Sequence, residues 1–215
     1  MKRKNLYFIY IIYLLLVING LSCSLSHGKS MVKKGQWAIE AATFNLIGNG
    51  HGASPVVPNI GLGFRYGILD DLNIGMIYHP TFMGLDWNLM IEPFVAYEAL
   101  KSRGWIPRIN IYSSLYMLTS FQTPEMRFFP LFGFLFGYKY KHVGWYIATE
   151  VSFDFYSFEA IAELNWNCRA GFNINIGKMF VITIETGMND IGQRSDAHGF
   201  DYGQPVVALG LAVKF

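Results

Sequence analysis

The chain ends Val206-Val207-Ala208-Leu209-Gly210-Leu211-Ala212-Val213-Lys214-Phe215. Counted back from Phe215, the residues Val213, Leu211, Leu209 and Val207 are large and apolar. Those between them, Lys214, Ala212, Gly210 and Ala208, are small or charged. Apolar residues at every second position mark a strand with one greasy face. The alternate face is too small and too polar to be the core of a soluble protein. It suits a strand whose outer side meets lipid and whose inner side meets a crowded polar lumen.

The same alternation recurs upstream. From Leu164 to Ile176, the residues Leu164, Trp166, Cys168, Ala170, Phe172, Ile174 and Ile176 share one face. Asn165, Asn167, Arg169, Gly171, Asn173 and Asn175 share the other. A helix would scatter both sets around its circumference. Similar segments start near Ile60, Leu72, Ile91, Phe132, Val143 and Phe180. Two weaker ones lie at Trp37–Ile47, with a phase slip expected near Thr43 at a bulge, and at Ile109–Phe121. With the terminal strand they predict ten strands and an all-β, closed antiparallel transmembrane barrel. An even number puts both ends of the barrel chain on one side. Short turns are expected there, at Leu69–Asp71, Lys101–Gly104, Lys139–Lys141 and Gly177-Lys178. The longest connection, Asn189–Gln204, falls at the other end.

The N-terminus carries Lys2, Arg3 and Lys4, an uncharged run from Leu6 to Ile18, then Gly20-Leu21-Ser22-Cys23. A basic start, an apolar run too short to span a bilayer and small residues after it predict a signal peptide. The expected division is residues 1–22 as signal peptide, 23–35 as a short, mobile periplasmic lead-in, and 36–215 as barrel. Cys23 has two readings, a lipidated N-terminal cysteine or a bystander to ordinary cleavage. Losing residues 1–22 removes three basic residues and no acidic ones, which leaves 14 basic against 15 acidic and a net charge of −1. The formal +2 of the whole chain therefore belongs to its leader and gives no reason to expect nucleic acid as a partner.

The unit Arg65-Tyr66-Gly67-Ile68-Leu69-Asp70-Asp71-Leu72-Asn73-Ile74-Gly75, the leader and the terminal Phe215 together resemble small bacterial outer-membrane β-barrel proteins. The resemblance is to an architecture and carries over no catalytic residue. It implies the outer membrane as location, outer-membrane lipid as surroundings, and barrel-assembly machinery as a partner recognising the C-terminal strand. No cofactor and no metal is implied.

If the phases hold, Glu40, Arg65, His79, Glu92, Glu98, Arg108, Glu150, Asp154, Glu163, Arg169, Glu185 and Lys214 point into the lumen. Opposite charges in a narrow barrel pair, because unpaired buried charge is expensive. They form either a structural plug or a charged eyelet around a narrow pore. Interiors of about eight strands fill with side chains and aqueous channels need about 16, so ten strands favour closure.

The loop after Asn189 holds Asp190, Asp196, His198 and Asp201. It reads as a solvated glycine-rich loop, a calcium site of clustered carboxylates, or a catalytic Asp196–His198 pair, which resembles that of omptin-type outer-membrane proteases. The His-x-Ser arrangement of outer-membrane lipid hydrolases is missing: His79 is followed by Pro80-Thr81, His142 by Val143-Gly144 and His51 by Gly52-Ala53. Aromatics near segment ends, among them Trp37, Trp105, Tyr138, Tyr140, Trp145 and Phe155, suit interfacial girdles. The leading expectation is a plugged barrel with a structural, surface-interaction or narrow-transport role, porin-like in form. The alternatives are an outer-membrane hydrolase, protease or lipid-modifying, working through its outer loops, and a soluble lipocalin-like barrel.

Overall fold

The computed structural model describes residues 31–46, 59–80, 88–103, 106–121, 126–154, 163–193, 200–201 and 204–215. Its strands are β1 (Trp37–Leu46), β2 (Asn59–Gly67), β3 (Leu72–Tyr78), β4 (Asn88–Leu100), β5 (Arg108–Ser120), β6 (Met126–Tyr140), β7 (Val143–Asp154), β8 (Glu163–Ile176), β9 (Phe180–Gln193), β10 (Phe200–Asp201) and β11 (Gln204–Lys214). Ten of them form the wall. The two-residue β10 pairs only with the far end of β9, Phe200 opposite Gln193. Each wall strand is antiparallel to its neighbours in sequence. The β1–β11 pairing and the β8–β9 pairing leave no free edge, so the sheet closes. Closure satisfies every strand's backbone groups without help from solvent, a requirement in lipid.

The period-of-two pattern sorts cleanly into two surfaces. Outside stand Ile39, Phe134, Ile147 and Phe172, between 46% and 59% exposed. Inside, Arg65 and Glu92 are 0% exposed, Glu150 1% and Glu185 2%. A soluble barrel would have these sets exchanged, because it buries apolar surface and leaves charge in water. The lipocalin-like alternative is excluded by this facing. Cys168 is a free thiol on the outer side of β8. On the same side the Trp166 indole donates a hydrogen bond to the Thr149 hydroxyl, which gives both polar groups a partner.

The turns joining β2 to β3, β6 to β7 and β8 to β9 all lie at one end. Two of them use the left-handed region, at Lys141 (φ 51°) and Gly177 (φ 64°), as tight hairpins require. Around this end the outer wall carries Trp37, Tyr97, Tyr140, Trp145 and Phe215. That is an aromatic belt of the kind found at a membrane interface. Trp105 and Phe155, also expected in a girdle, lie outside the described residues.

The structure differs from the sequence reading in four places. The bulge expected near Thr43 is absent: β1 keeps unbroken register with β11 from Ala38 to Leu46, and with β2 through Phe44. The register shifts fall instead at Glu98/Leu100 and Trp166/Cys168. Second, β6 begins at Met126, because Met126–Leu131 extends the pairing with β5. Third, Asn189–Gln193 continues β9 rather than opening a loop. Fourth, the last residues of the expected lead-in are anchored, not mobile. Val32 is 2% exposed, its N–H donates to Asn73 Oδ1 at 2.8 Å, and Asn73 Nδ2 donates back to its carbonyl at 3.0 Å. Gly35 N–H donates to the Gly67 carbonyl at 2.8 Å and Lys214 Nζ to the Met31 carbonyl at 3.2 Å. A side chain at Gly67 would collide with the Lys33 carbonyl, so the glycine admits the segment. The expected signal peptide, its cleavage and Cys23 lie outside the described residues.

Candidate functional site

The lumen is built from cross-strand rows, and one residue choice shapes it repeatedly. Phe94, Tyr112 and Tyr146 point inward from β4, β5 and β7, and each lies opposite a glycine on a neighbouring strand: Gly75, Gly133 and Gly171. A Cβ at any of the three would run into the facing aromatic ring. The glycines thus make room for rings that lie over them inside the barrel, a known way of offsetting glycine's weakness in a sheet.

These rings hold the charges in place. Arg169, on β8 between β7 and β9, reaches both neighbours. Its Nη2 lies 3.0 Å from Glu150 Oε2, and its Nη1 lies 3.3 Å from Glu185 Oε1. The Tyr112 hydroxyl donates to Glu150 at 2.7 Å and the Tyr146 hydroxyl to Glu185 at 2.6 Å. Asn167 Nδ2 adds a longer contact of 3.5 Å to Glu150. All three charged side chains are at most 2% exposed. Each of the two carboxylates around the guanidinium also takes a phenolic hydrogen bond, the kind of added partner a buried ionic cluster needs.

Nearer the short turns, Arg65 Nε lies 3.0 Å from Glu40 Oε1, and its guanidinium sits 4.8 Å from the centre of the Phe94 ring. At the far end of β3, His79 Nε2 lies 3.3 Å from Glu92 Oε2, both buried. Thr183 donates to Asn173 Oδ1 at 2.8 Å on the β8–β9 pair. Of the expected lumenal charges, Glu40, Arg65, His79, Glu92, Glu150, Arg169 and Glu185 are buried inside and engaged in these contacts. Arg108 is inward but sits at the short-turn mouth with Glu98 rather than in the central cluster. Asp154 and Glu163 are opposite each other in the β7–β8 ladder, and their side chains lie outside the described residues. So do Asp196, His198 and the side chains of Asp190 and Asp201, which leaves the calcium and protease readings of that loop without a described geometry. His142 is exposed in the turn before β7.

The partners within the lumen were not readable beforehand. Glu92 meets His79, and Glu40 takes Arg65. Tyr112 and Tyr146 were missed as site residues. Their signal was present as large polar aromatics on the small-residue face of their strands.

At the short-turn end the lumen opens into a cavity of about 480 Å³ lined by Lys33, Lys101, Arg108, Lys139 and Lys214, with Asp70 and Glu98 as its only carboxylates among the described residues.

No protein-family model matches the chain, and no curated protein matches it. Among solved structures, it is similar to the N-terminal β-barrel domain of Pseudomonas aeruginosa OprF, at 12% identity over 86% of this chain and 100% of that one, with a TM-score of 0.33. It is also similar to Ail, the attachment invasion locus protein of Yersinia pestis (15% identity, 85% of this chain and 99% of that one, TM-score 0.29). A third is the outer membrane protein OprG of Pseudomonas aeruginosa (14% identity, 85% and 97%, TM-score 0.29).

Proposed function

We infer that the chain is a bacterial outer-membrane β-barrel whose lumen is shut by fixed charge pairs, and that it serves as a structural or surface-interaction element rather than an open pore. The observation that carries this reading is the cluster of Arg169, Glu150, Glu185, Tyr112 and Tyr146 across the middle of the barrel. Side chains bound to one another, and buried to within a few per cent, favour a lumen without a continuous water path. The apolar outer wall supports the membrane location, since only a closed barrel crosses lipid on strands.

In cells, the mature protein is expected in the outer-membrane fraction and should migrate faster on a gel when unheated than after boiling. Recovery in the soluble fraction, with mobility independent of heating, would contradict the membrane reading. Flux of small sugars through proteoliposomes carrying the barrel would move the function to narrow transport.

The proposed assembly partner is the barrel-insertion machinery, reading the β11 end. Phe215 N–H donates to the Trp37 carbonyl at 2.9 Å and its carbonyl accepts from Trp37 N–H at 3.3 Å, forming the last rung of the β1–β11 seam. Deleting Phe215 removes two such bonds, worth about 1–3 kcal/mol together. Assembly in vivo is expected to fall much further than that modest loss explains. Equal membrane levels of truncated and full-length chains would remove the proposed recognition.

A further inference from the structure

We propose that the short-turn mouth of the barrel is a binding site for a small, soluble, phosphate-bearing solute. The cavity volume of about 480 Å³ lies within the range of small-molecule pockets. Its charge is out of balance in a way that the rest of the lumen is not. In the central cluster every cation has carboxylates in contact with it. At the mouth, five cationic side chains share two acids. One of those, Asp70, already accepts the Lys34 backbone N–H at 3.1 Å.

The surplus is concentrated rather than spread over a solvated rim. Arg65, Lys139 and Arg108 all lie close enough to Lys214 to repel its ammonium, against one nearby carboxylate, Glu40, which is already paired with Arg65. Neither Lys139 nor Lys214 makes an ion pair among the described residues. The two terminal nitrogens of buried Arg65, just inside, donate no hydrogen bond among the described residues. Like charges held together in a recess repel, and an anion entering it removes that repulsion. Lysine ammonium groups beside an arginine fork are the donor set that recognises phosphate oxygens.

The rest of the lining sets the solute's other half. Met31, Val32 and Val181 place apolar surface beside the cations, which suits a short organic body attached to the phosphate. The barrel wall encircles the recess, so a free solute reaches it more readily than a lipid headgroup does. Anchoring of Val32 by Asn73 builds one side of the pocket and gives the tethered lead-in a purpose.

The proposal depends on the closed-lumen reading only for the fate of the solute, bound at a blind recess rather than passed through. Binding itself does not depend on it, so failure of one is distinguishable from failure of the other. The test is calorimetric titration of the full refolded barrel in zwitterionic micelles with glycerol 3-phosphate and inorganic phosphate, against sodium chloride at matched ionic strength. Saturable binding of the phosphate ligands, absent with chloride, is expected. Lys139→Gln, at an exposed position that leaves the fold intact, should weaken it about tenfold, and Lys139→Gln with Lys101→Gln further. Heat changes that match those of chloride, or binding unmoved by both variants, would overturn the proposal. A second arm repeats the titration in nanodiscs of phosphatidylcholine and of phosphatidylglycerol. Equal affinity in both supports a soluble ligand, whereas loss of binding only in phosphatidylglycerol would assign the recess to a headgroup and overturn the soluble-solute claim.

Discussion

Arg169→Ala should destabilise the folded barrel by about 3–5 kcal/mol, the usual cost of breaking a buried ion pair from one side. The reason is asymmetric. Removing the guanidinium leaves Glu150 and Glu185 as two buried carboxylates on the strands flanking β8, each still tied to a tyrosine but without their shared cation. The loss is a desolvation cost more than a lost attraction, so it is reversible by removing the carboxylates as well. Arg169→Met combined with Glu150→Gln and Glu185→Gln should recover most of the stability. Urea titration in lipid vesicles measures both variants. If Arg169→Ala unfolds at the same urea concentration as the wild type, the central cluster is not what holds the lumen together. If the triple variant is no better than the single one, the loss came from packing rather than charge.

The second large effect concerns the outer surface. Phe134 stands outward at the middle of β6, 46% exposed, between Ile111 on β5 and Thr149 on β7. An arginine there would place a charge at the bilayer midplane, at a cost of about 2–4 kcal/mol. Phe172, outward on β8 and closer to the short turns, should cost less when changed to arginine, because the penalty falls off towards the interface. The ordering is the sharper check. Equal costs at both positions, or no cost relative to leucine at either, would mean that lipid does not surround this wall.

The facing of the strands was legible because lipid outside and a tight polar lumen inside write a binary code with period two. Leu164–Ile176 displays that code without interruption, and the structure follows it. Leu209 and Leu211 in the terminal strand do the same. Which charges meet was not legible, because one sequence fixes the face of Arg169 but not its register against β7 and β9. Glu150 and Glu185 lie diagonal to Arg169, two residues along from its direct partners Ala148 and Gly187. The lead-in was missed for a different reason. Val32 is held by its backbone groups through the Asn73 side chain, and backbone hydrogen bonding leaves no periodic mark. The cationic mouth was hidden as well, since Lys33, Lys101, Arg108, Lys139 and Lys214 come from five separate segments that only closure of the barrel brings together.

Single-channel recording of the purified barrel in a planar bilayer tests the proposed closure of the lumen most directly. The wild-type protein should insert without steady conductance, while Arg169→Ala, with its cluster loosened, should show intermittent openings. A stable, ion-selective current through the wild-type barrel would contradict the plug and make the charge network the lining of a pore.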